Sequence, residues 1–189
     1  MAIKLDGSWS VGYAYDKHIE HSTFLGYDDQ GRPLFDTTRT YYMGELIYQL
    51  KYQQKLDNID KIIDLLLAQF SNFEKFNMVV PAPFSTPRLH QPVYLIAEQL
   101  AKRLNISYQP ILHKIQAKIP LKNLATFDEK IENLSHNIEL DKQSNVANQT
   151  ILLLDDLFDS GATLDSATQL LMQAGAKEVN VLVLTKTRG

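Results

Sequence analysis

The stretch Ile151-Leu-Leu-Leu-Asp-Asp-Leu-Phe-Asp-Ser-Gly-Ala-Thr-Leu164 decides how the rest of this chain is read. Ile151 to Leu154 is a short, unbroken aliphatic run, which predicts a strand buried on both faces. Asp155 and Asp156 follow, and the small residues of Asp159 to Thr163 then lead into a helical stripe of Leu164, Ala167, Leu170, Leu171 and Ala174. Gly175 stops that helix, and Val179 to Leu184 reads as another buried strand.

The same alternation extends upstream. Met78 to Val80 reads as a strand that runs into Pro-Ala-Pro and a Ser-Thr-Pro loop, and Pro92 opens a helix carrying Val93, Ile96, Ala97, Leu100, Ala101 and Leu104. A further strand is expected around Tyr108 to Leu112. Apolar residues at Tyr42, Leu46, Ile47 and Leu50, then at Ile59, Ile62, Ile63, Leu66, Leu67 and Phe70, predict two consecutive helices. Alternating strands and helices imply an α/β fold with a mostly parallel sheet flanked by helices. From Ser8 to Phe35, loose polar–aromatic alternation punctuated by Gly26, Asp28, Asp29, Gly31 and Pro33 predicts a small antiparallel β appendage. The expected organisation is thus an appendage over 1–39 and a core over 40–189. Residues 113–149 are polar and weakly periodic, with Lys114, Lys118, Lys122 and Lys130 among them, and predict a long mobile excursion.

Composition narrows the function classes. At 189 residues, with 44% hydrophobic and 22% charged residues, the chain matches one globular domain rather than a disordered segment. A formal charge of −3 without long like-charged runs gives no support to nucleic-acid binding or to an anionic membrane surface. Cysteine is absent, which excludes disulfides, cysteine zinc sites and thiol nucleophiles. No secretory leader or apolar run of spanning length is visible, so the expected location is the cytoplasm.

In a parallel sheet, ligands bind beyond the carboxyl ends of the strands, where Asp155, Asp156 and the loop Asp159–Thr163 are expected. Ser160, Gly161 and Ala162 leave backbone N–H groups accessible at a helix N-terminus, Ser160 and Thr163 add hydroxyls, and together they form a candidate phosphate cradle. Adjacent carboxylates repel, a cost tolerated beside a sugar diol or a divalent cation. The plainer alternative is an acidic pair at an ordinary strand end, with Asp159 capping the helix by itself. GxGxxG and GxxxxGK[ST] are both missing, which disfavours dinucleotide and Walker-type NTP sites.

Residues 151–164 resemble the phosphoribosyl pyrophosphate signature of type I phosphoribosyltransferases. Gly44–Tyr52 with its Leu50-Lys51-Tyr52, Val79–Arg88 with its Val-Pro-Ala-Pro, and residues 150–187 look like the ComF family of competence-associated proteins within that class. The resemblance implies phosphoribosyl transfer from phosphoribosyl pyrophosphate with Mg2+ to a nitrogen nucleophile. It places Asp155 and Asp156 on the ribose hydroxyls and beside the metal, and Asp159, Ser160, Gly161, Ala162 and Thr163 around the 5-phosphate. It also puts Asp159 close to an incoming base. The Pro81–Arg88 loop, with Pro83, Ser85 and Arg88, becomes the pyrophosphate turn, and residues 113–138, with Lys114, become the loop over the reacting centre. Lys51 is either a solvated helix lysine or a phosphate contact, and Arg88 either a surface arginine or a bidentate phosphate ligand. Three departures accompany the likeness. No cysteine zinc ribbon precedes the core, His90-Gln91-Pro92-Val93 stands where an Arg-Gly-Phe-Asn stretch is usual, and the basic pattern of the covering loop is echoed only by Lys114, Lys122 and Lys130 with Asn133.

The alternative function is a non-catalytic ribose-phosphate-binding or DNA-uptake accessory protein using the same pocket. His18 and His21 near Asp16 and Glu20 match no zinc spacing, and the aromatics Trp9, Tyr13, Tyr15, Phe24 and Tyr27 read as packing residues before they read as a base-stacking set. The acceptor is not legible in the sequence, and a homo-oligomer is left open.

Overall fold

Strand alternation sorts the aliphatic residues of this chain onto two faces of one sheet, and the computed structural model, which describes residues 2–39, 42–84, 86–115 and 138–187, shows helices covering both. The amino-terminal part contains β1 (Ile3–Lys4), β2 (Val11–Lys17), β3 (Ile19–Tyr27) and β4 (Pro33–Arg39), followed by α1 (Met43–Gln53) and α2 (Asn58–Gln69). The middle contains β5 (Met78–Pro81), α3 (Pro92–Leu104), β6 (Ser107–Tyr108), β7 (Leu112–Lys114) and β8 (Ile138–Leu140). The chain then closes with β9 (Thr150–Phe158), α4 (Ala162–Gln173) and β10 (Glu178–Lys186). The main sheet has the order β1-β2-β10-β9-β5-β6, parallel throughout except for β1.

Along β9, Ile151 and Leu153 point to the face shared with Val179, Val181, Val183 and the α4 residues Leu164, Ala167 and Leu171. Leu152 and Leu154 point to the other face, against Ile47 and Leu50 of α1, Ile62 and Leu66 of α2, and Ile96 and Leu100 of α3. Each such aliphatic side chain contributes about 1.5–3 kcal/mol by leaving water. Between Ile151 and Leu154, where helices cover both faces, β9 therefore has no polar position. Pro92 supplies the fixed φ of the first turn of α3, and Asn105, in the left-handed region at φ 55°, ends it.

The α/β architecture and the parallel sheet agree with expectation, while three local features differ. First, the expected antiparallel appendage is divided: β2 lies in the main sheet, parallel to β10 from Val11–Asn180 to Lys17–Lys186, and only β3 and β4 pair with each other alone. The reason is packing. Gly12 and Ala14 turn small, buried surfaces to the α4 face, where the Trp9 indole fills the space, and a Cβ added at Gly12 would clash with the Nε1 edge of that ring. Secondly, β9 does not end at Leu154 but stays hydrogen-bonded to β10 through Leu157–Thr185 and Phe158–Lys186. The acidic pair is thus part of the strand. Thirdly, the excursion expected over 113–149 includes an antiparallel β7–β8 ladder, and the Tyr108–Leu112 strand resolves into β6 and β7. Lys118, Lys122, Lys130 and Asn133 lie outside the described residues. Among the described residues no helix is long and apolar enough to cross a membrane.

Candidate functional site

The alternation that buries Leu152 and Leu154 against α1 also sends Asp156 to that side. Lys51 in the last turn of α1 meets it, with Nζ 2.9 Å from Asp156 Oδ2 and the two side chains only 17% and 21% exposed. Asp155 has the opposite parity. Its Oδ1 accepts the backbone N–H of Asp156 at 2.7 Å, while the Thr185 hydroxyl donates to the Asp156 carbonyl at 3.0 Å and ties the strand end to β10. Burial is the main influence on Asp155 and the charge of Asp156 the next; together they push its carboxyl up to about 7, against the opposing pull of the Asp156 N–H, Lys51 and Lys114. The two acids are therefore unequal: one is paired to a lysine, and the other holds a proton near neutrality.

Beyond Phe158 the chain must turn sharply into α4. Gly161 makes that turn at φ 81°, and a Cβ there would lie 2.9 Å from the Phe158 ring, so glycine is required twice over. Gly161 is also the N-cap of α4 and makes no side-chain cap bond, while the Ala162 N–H reaches the Ser160 hydroxyl at a long 3.4 Å. The cap by Asp159 that the plainer alternative required is not formed. Asp159 instead accepts a hydrogen bond from the Thr187 hydroxyl at 2.8 Å, because the extended β9–β10 ladder carries Thr187 alongside it. The first-turn N–H groups of α4 thus open onto a concavity of about 80 Å3 lined by residues 157–164 and Asp155.

Facing it is a larger cavity of about 270 Å3, whose walls include Lys51, Pro83, Arg88, Lys114, Asp155, Asp156 and Thr163. The two cavities share Asp155, Leu157 and Thr163 as lining residues. The loop after β5 is held by Phe84 packed edge-on to Tyr94 at 5.5 Å and by Gln91 Nε2 donating to the Thr86 carbonyl at 3.1 Å. Arg88 stands over the Tyr52 ring, 5.2 Å from its centre. Of the residues singled out by sequence, Lys51, Pro83, Arg88, Lys114, Asp155, Asp156, Asp159, Ser160, Gly161, Ala162 and Thr163 converge on this pair of cavities, and Ser85 lies outside the described residues.

Other contributors went unread. Thr86 and Gln91 line the larger cavity, and Ser8, Trp9 and Asp165 support the α4 loop from below. Trp9 packs edge-on against Phe158 at 6.2 Å and donates from Nε1 to the Leu5 carbonyl at 3.1 Å. Ser8 donates its N–H and hydroxyl to Asp165 Oδ1 at 2.8 and 2.9 Å. An acid in the first turn of a predicted helix was the one local clue to Asp165. Nothing near Ser8 announces a partner 157 residues away.

His18 lies with Nδ1 3.0 Å from the Thr185 hydroxyl, and among the described residues no cluster of three His, Asp or Glu side chains could by itself hold a metal ion. A magnesium ion asks for less from the protein: one or two carboxylates, with water and substrate phosphates completing the octahedron. Asp155 and Asp156, side by side at a cavity rim, fit that requirement.

The fold is of the α/β class whose ligands bind beyond the carboxyl ends of the parallel strands, and a small-residue loop and paired acids stand there at the end of β9. Residues 94–189 match the family model "Phosphoribosyl transferase domain", and the chain belongs to that family. It is 30% identical over 91 residues to the adenine phosphoribosyltransferase of Bordetella pertussis, covering 48% of each chain. With the enzyme of the same name from Campylobacter jejuni subsp. jejuni it is 30% identical over 93 residues, 48% of this chain and 50% of that one. The chain spans about half the length of the curated relatives it matches. Among solved structures, adenine phosphoribosyltransferase of Giardia lamblia with 9-deazaadenine aligns over 87% of this chain and 81% of that one, at 16% identity and a TM-score of 0.49. That of Thermoanaerobacter pseudethanolicus aligns over 87% and 95%, at 15% identity and a TM-score of 0.47.

Proposed function

We propose that the chain binds phosphoribosyl pyrophosphate and transfers its phosphoribosyl group to a nitrogen nucleophile, releasing pyrophosphate. The observation that carries this reading is the pair of cavities that share Asp155 at the end of β9, one lined by the small residues of the α4 turn and the other by Lys51, Arg88, Lys114 and Asp156. The Ser160–Thr163 turn would hold the 5-phosphate, where N–H donors and the positive end of α4 favour an anion. Asp155 and Asp156 would accept hydrogen bonds from the ribose hydroxyls. Arg88 and Lys114 would face the pyrophosphate, a planar fork and a point charge respectively. Asp159 and Lys114 would stand nearest the reacting centre, Asp159 on the side of the incoming base.

In the reaction the bond from C1 of the ribose to the pyrophosphate oxygen breaks, the bond from C1 to nitrogen forms, and the proton released from nitrogen passes to the departing pyrophosphate or to water. Positioning and charge stabilisation supply most of the rate enhancement in such a substitution. Mg2+, when bound at Asp155 and Asp156 with substrate oxygens, would supply neutralisation of the pyrophosphate charge. Adenine is the first acceptor to test, since the relatives are named for it. Within the family, Leu50-Lys51-Tyr52 and Val80-Pro81-Ala82-Pro83 support a ComF-like member, acting in the cytoplasm.

Titration calorimetry with phosphoribosyl pyrophosphate and Mg2+ tests the reading. Wild type should bind, and Asp155→Ala/Asp156→Ala should lose about ten-fold or more in affinity, the size expected when hydrogen bonds to charged acceptors are removed. No binding by wild type refutes the proposal. Pyrophosphate release on adding adenine or simple amines then separates an enzyme from a ribose-phosphate sensor.

A further inference from the structure

Two consecutive residues at the end of α1 touch two different groups that line the large cavity. Lys51 holds Asp156 at 2.9 Å, and Tyr52 carries Arg88 on its ring at 5.2 Å. Neighbouring positions on a helix point about 100° apart, so one turn can reach both the strand end and the loop after β5. The turn is well anchored. Ile47 and Leu50 of the same helix are buried, at 1% and 2% exposure, against α2, α3 and the sheet, and the Tyr48 ring packs tilted against that of Tyr52 at 5.0 Å. The left-handed Gln54 ends the helix immediately afterwards, with its N–H bonded to the Gln49 carbonyl.

Each contact acts on a group of the proposed site. The ion pair is four-fifths buried, which limits solvent screening and fixes the Asp156 carboxylate, and the nearby ammonium offsets the repulsion between the paired acids. The Tyr52 ring holds the Arg88 guanidinium through its π face and leaves its N–H edges available to an anion. Without the ring, a long arginine on a loop would sample many rotamers and lose entropy on binding. Neither contact is legible in the order of the chain, since Lys51 and Asp156 are 105 positions apart and Tyr52 and Arg88 are 36 apart.

We infer that Lys51 and Tyr52 form a positioning pair through which α1 sets the carboxylate wall against the arginine wall, Lys51 serving the sugar side and Tyr52 the pyrophosphate side. This rests on the ribose-phosphate reading of the site. Lys51 is then no phosphate ligand but the partner of Asp156, and Tyr52 acts through Arg88 rather than on substrate.

The two halves of the substrate test this separately. Ribose 5-phosphate and inorganic pyrophosphate, each with Mg2+, are titrated by calorimetry into wild type, Lys51→Met, Lys51→Arg, Tyr52→Leu and Tyr52→Phe, with thermal unfolding measured alongside. Tyr52→Leu should weaken pyrophosphate about three-fold or more, the size of a partly exposed cation–π contact, and Tyr52→Phe should restore it. Lys51→Met should weaken ribose 5-phosphate about five-fold, as expected for a charge-assisted contact, and Lys51→Arg should recover most of the loss. Each variant should leave the other probe within about two-fold of wild type. Tighter ribose 5-phosphate binding by Lys51→Met would show a competitor rather than a support and overturn the inference, as would equal weakening of both probes together with a lowered unfolding temperature. Wild type binding both probes while all variants match it overturns this inference alone. Wild type binding neither overturns the ribose-phosphate reading and this inference with it.

Discussion

Asp155 shows how one side chain can be shaped by the core at its back and the cavity at its front. Its carboxyl ordinarily titrates at 3.8, and in the folded chain burial and the neighbouring Asp156 charge raise this to about 7. Below pH 3.8 both folded and unfolded chains hold the proton, and the shift has no cost. Between 3.8 and about 7 the unfolded chain gives the proton up while the folded chain keeps it, so stability falls as pH rises through that window. A shift of this size corresponds to a loss on the order of 4 kcal/mol once pH exceeds the folded value. Asp155→Asn keeps an oxygen for the Asp156 N–H and removes the titration. Its stability relative to wild type, measured by urea unfolding, should therefore rise by about 2–3 kcal/mol between pH 5 and pH 8. A difference independent of pH would contradict the assignment. At Gly161 the constraint is steric: Gly161→Ala should cost about 1–2 kcal/mol from its left-handed backbone alone, more if Phe158 cannot move, and should weaken phosphate-bearing ligands in calorimetry.

Among the elements, the segment before β2 has the largest unannounced role. Trp9 lies beneath Phe158 and the Gly161 turn, and Ser8 ties the same segment to Asp165 in the first turn of α4. The position of the α4 N-terminus is thus decided partly by residues from the far end of the chain. Trp9→Ala should lose about 3–5 kcal/mol, as for other large aromatics taken from a core. Ser8→Ala, which removes a hydroxyl but leaves the N–H bond to Asp165, should cost less than about 1 kcal/mol in unfolding experiments. A Trp9→Ala loss as small as that of Ser8→Ala would mean that the indole does not support the turn. Gly12→Val should be as damaging as Trp9→Ala, because its side chain would have to displace the same ring.

For the whole molecule, ligand binding should appear as stability. If phosphoribosyl pyrophosphate with Mg2+ binds only the folded chain, a concentration one hundred times the dissociation constant should add about 2.7 kcal/mol and raise the unfolding temperature, an effect that Asp155→Ala/Asp156→Ala should abolish. The order of strands and helices, the βαβ unit around 151–184 and the loop 159–163 were all legible in the sequence, because aliphatic runs, helical periods and glycine turns are local signals. The plainer alternative, Asp159 as the cap of α4, fails for the opposite reason: Asp159 has the right chemistry for a cap, and only the extension of β9 and β10 gave it Thr187 as a partner instead. So too with β2, whose parallel place beside β10 depends on hydrogen bonds made across some 170 residues. By itself, then, the sequence determined the α/β class, the strand that carries the acids and the small-residue turn after it, since each depends on neighbours within a few positions. The tertiary structure alone decided that Lys51 faces Asp156, that Tyr52 holds Arg88, and that Trp9 underlies the turn. Those pairings arise where separate elements pack, and nothing in the order of the chain states which side chains will meet there.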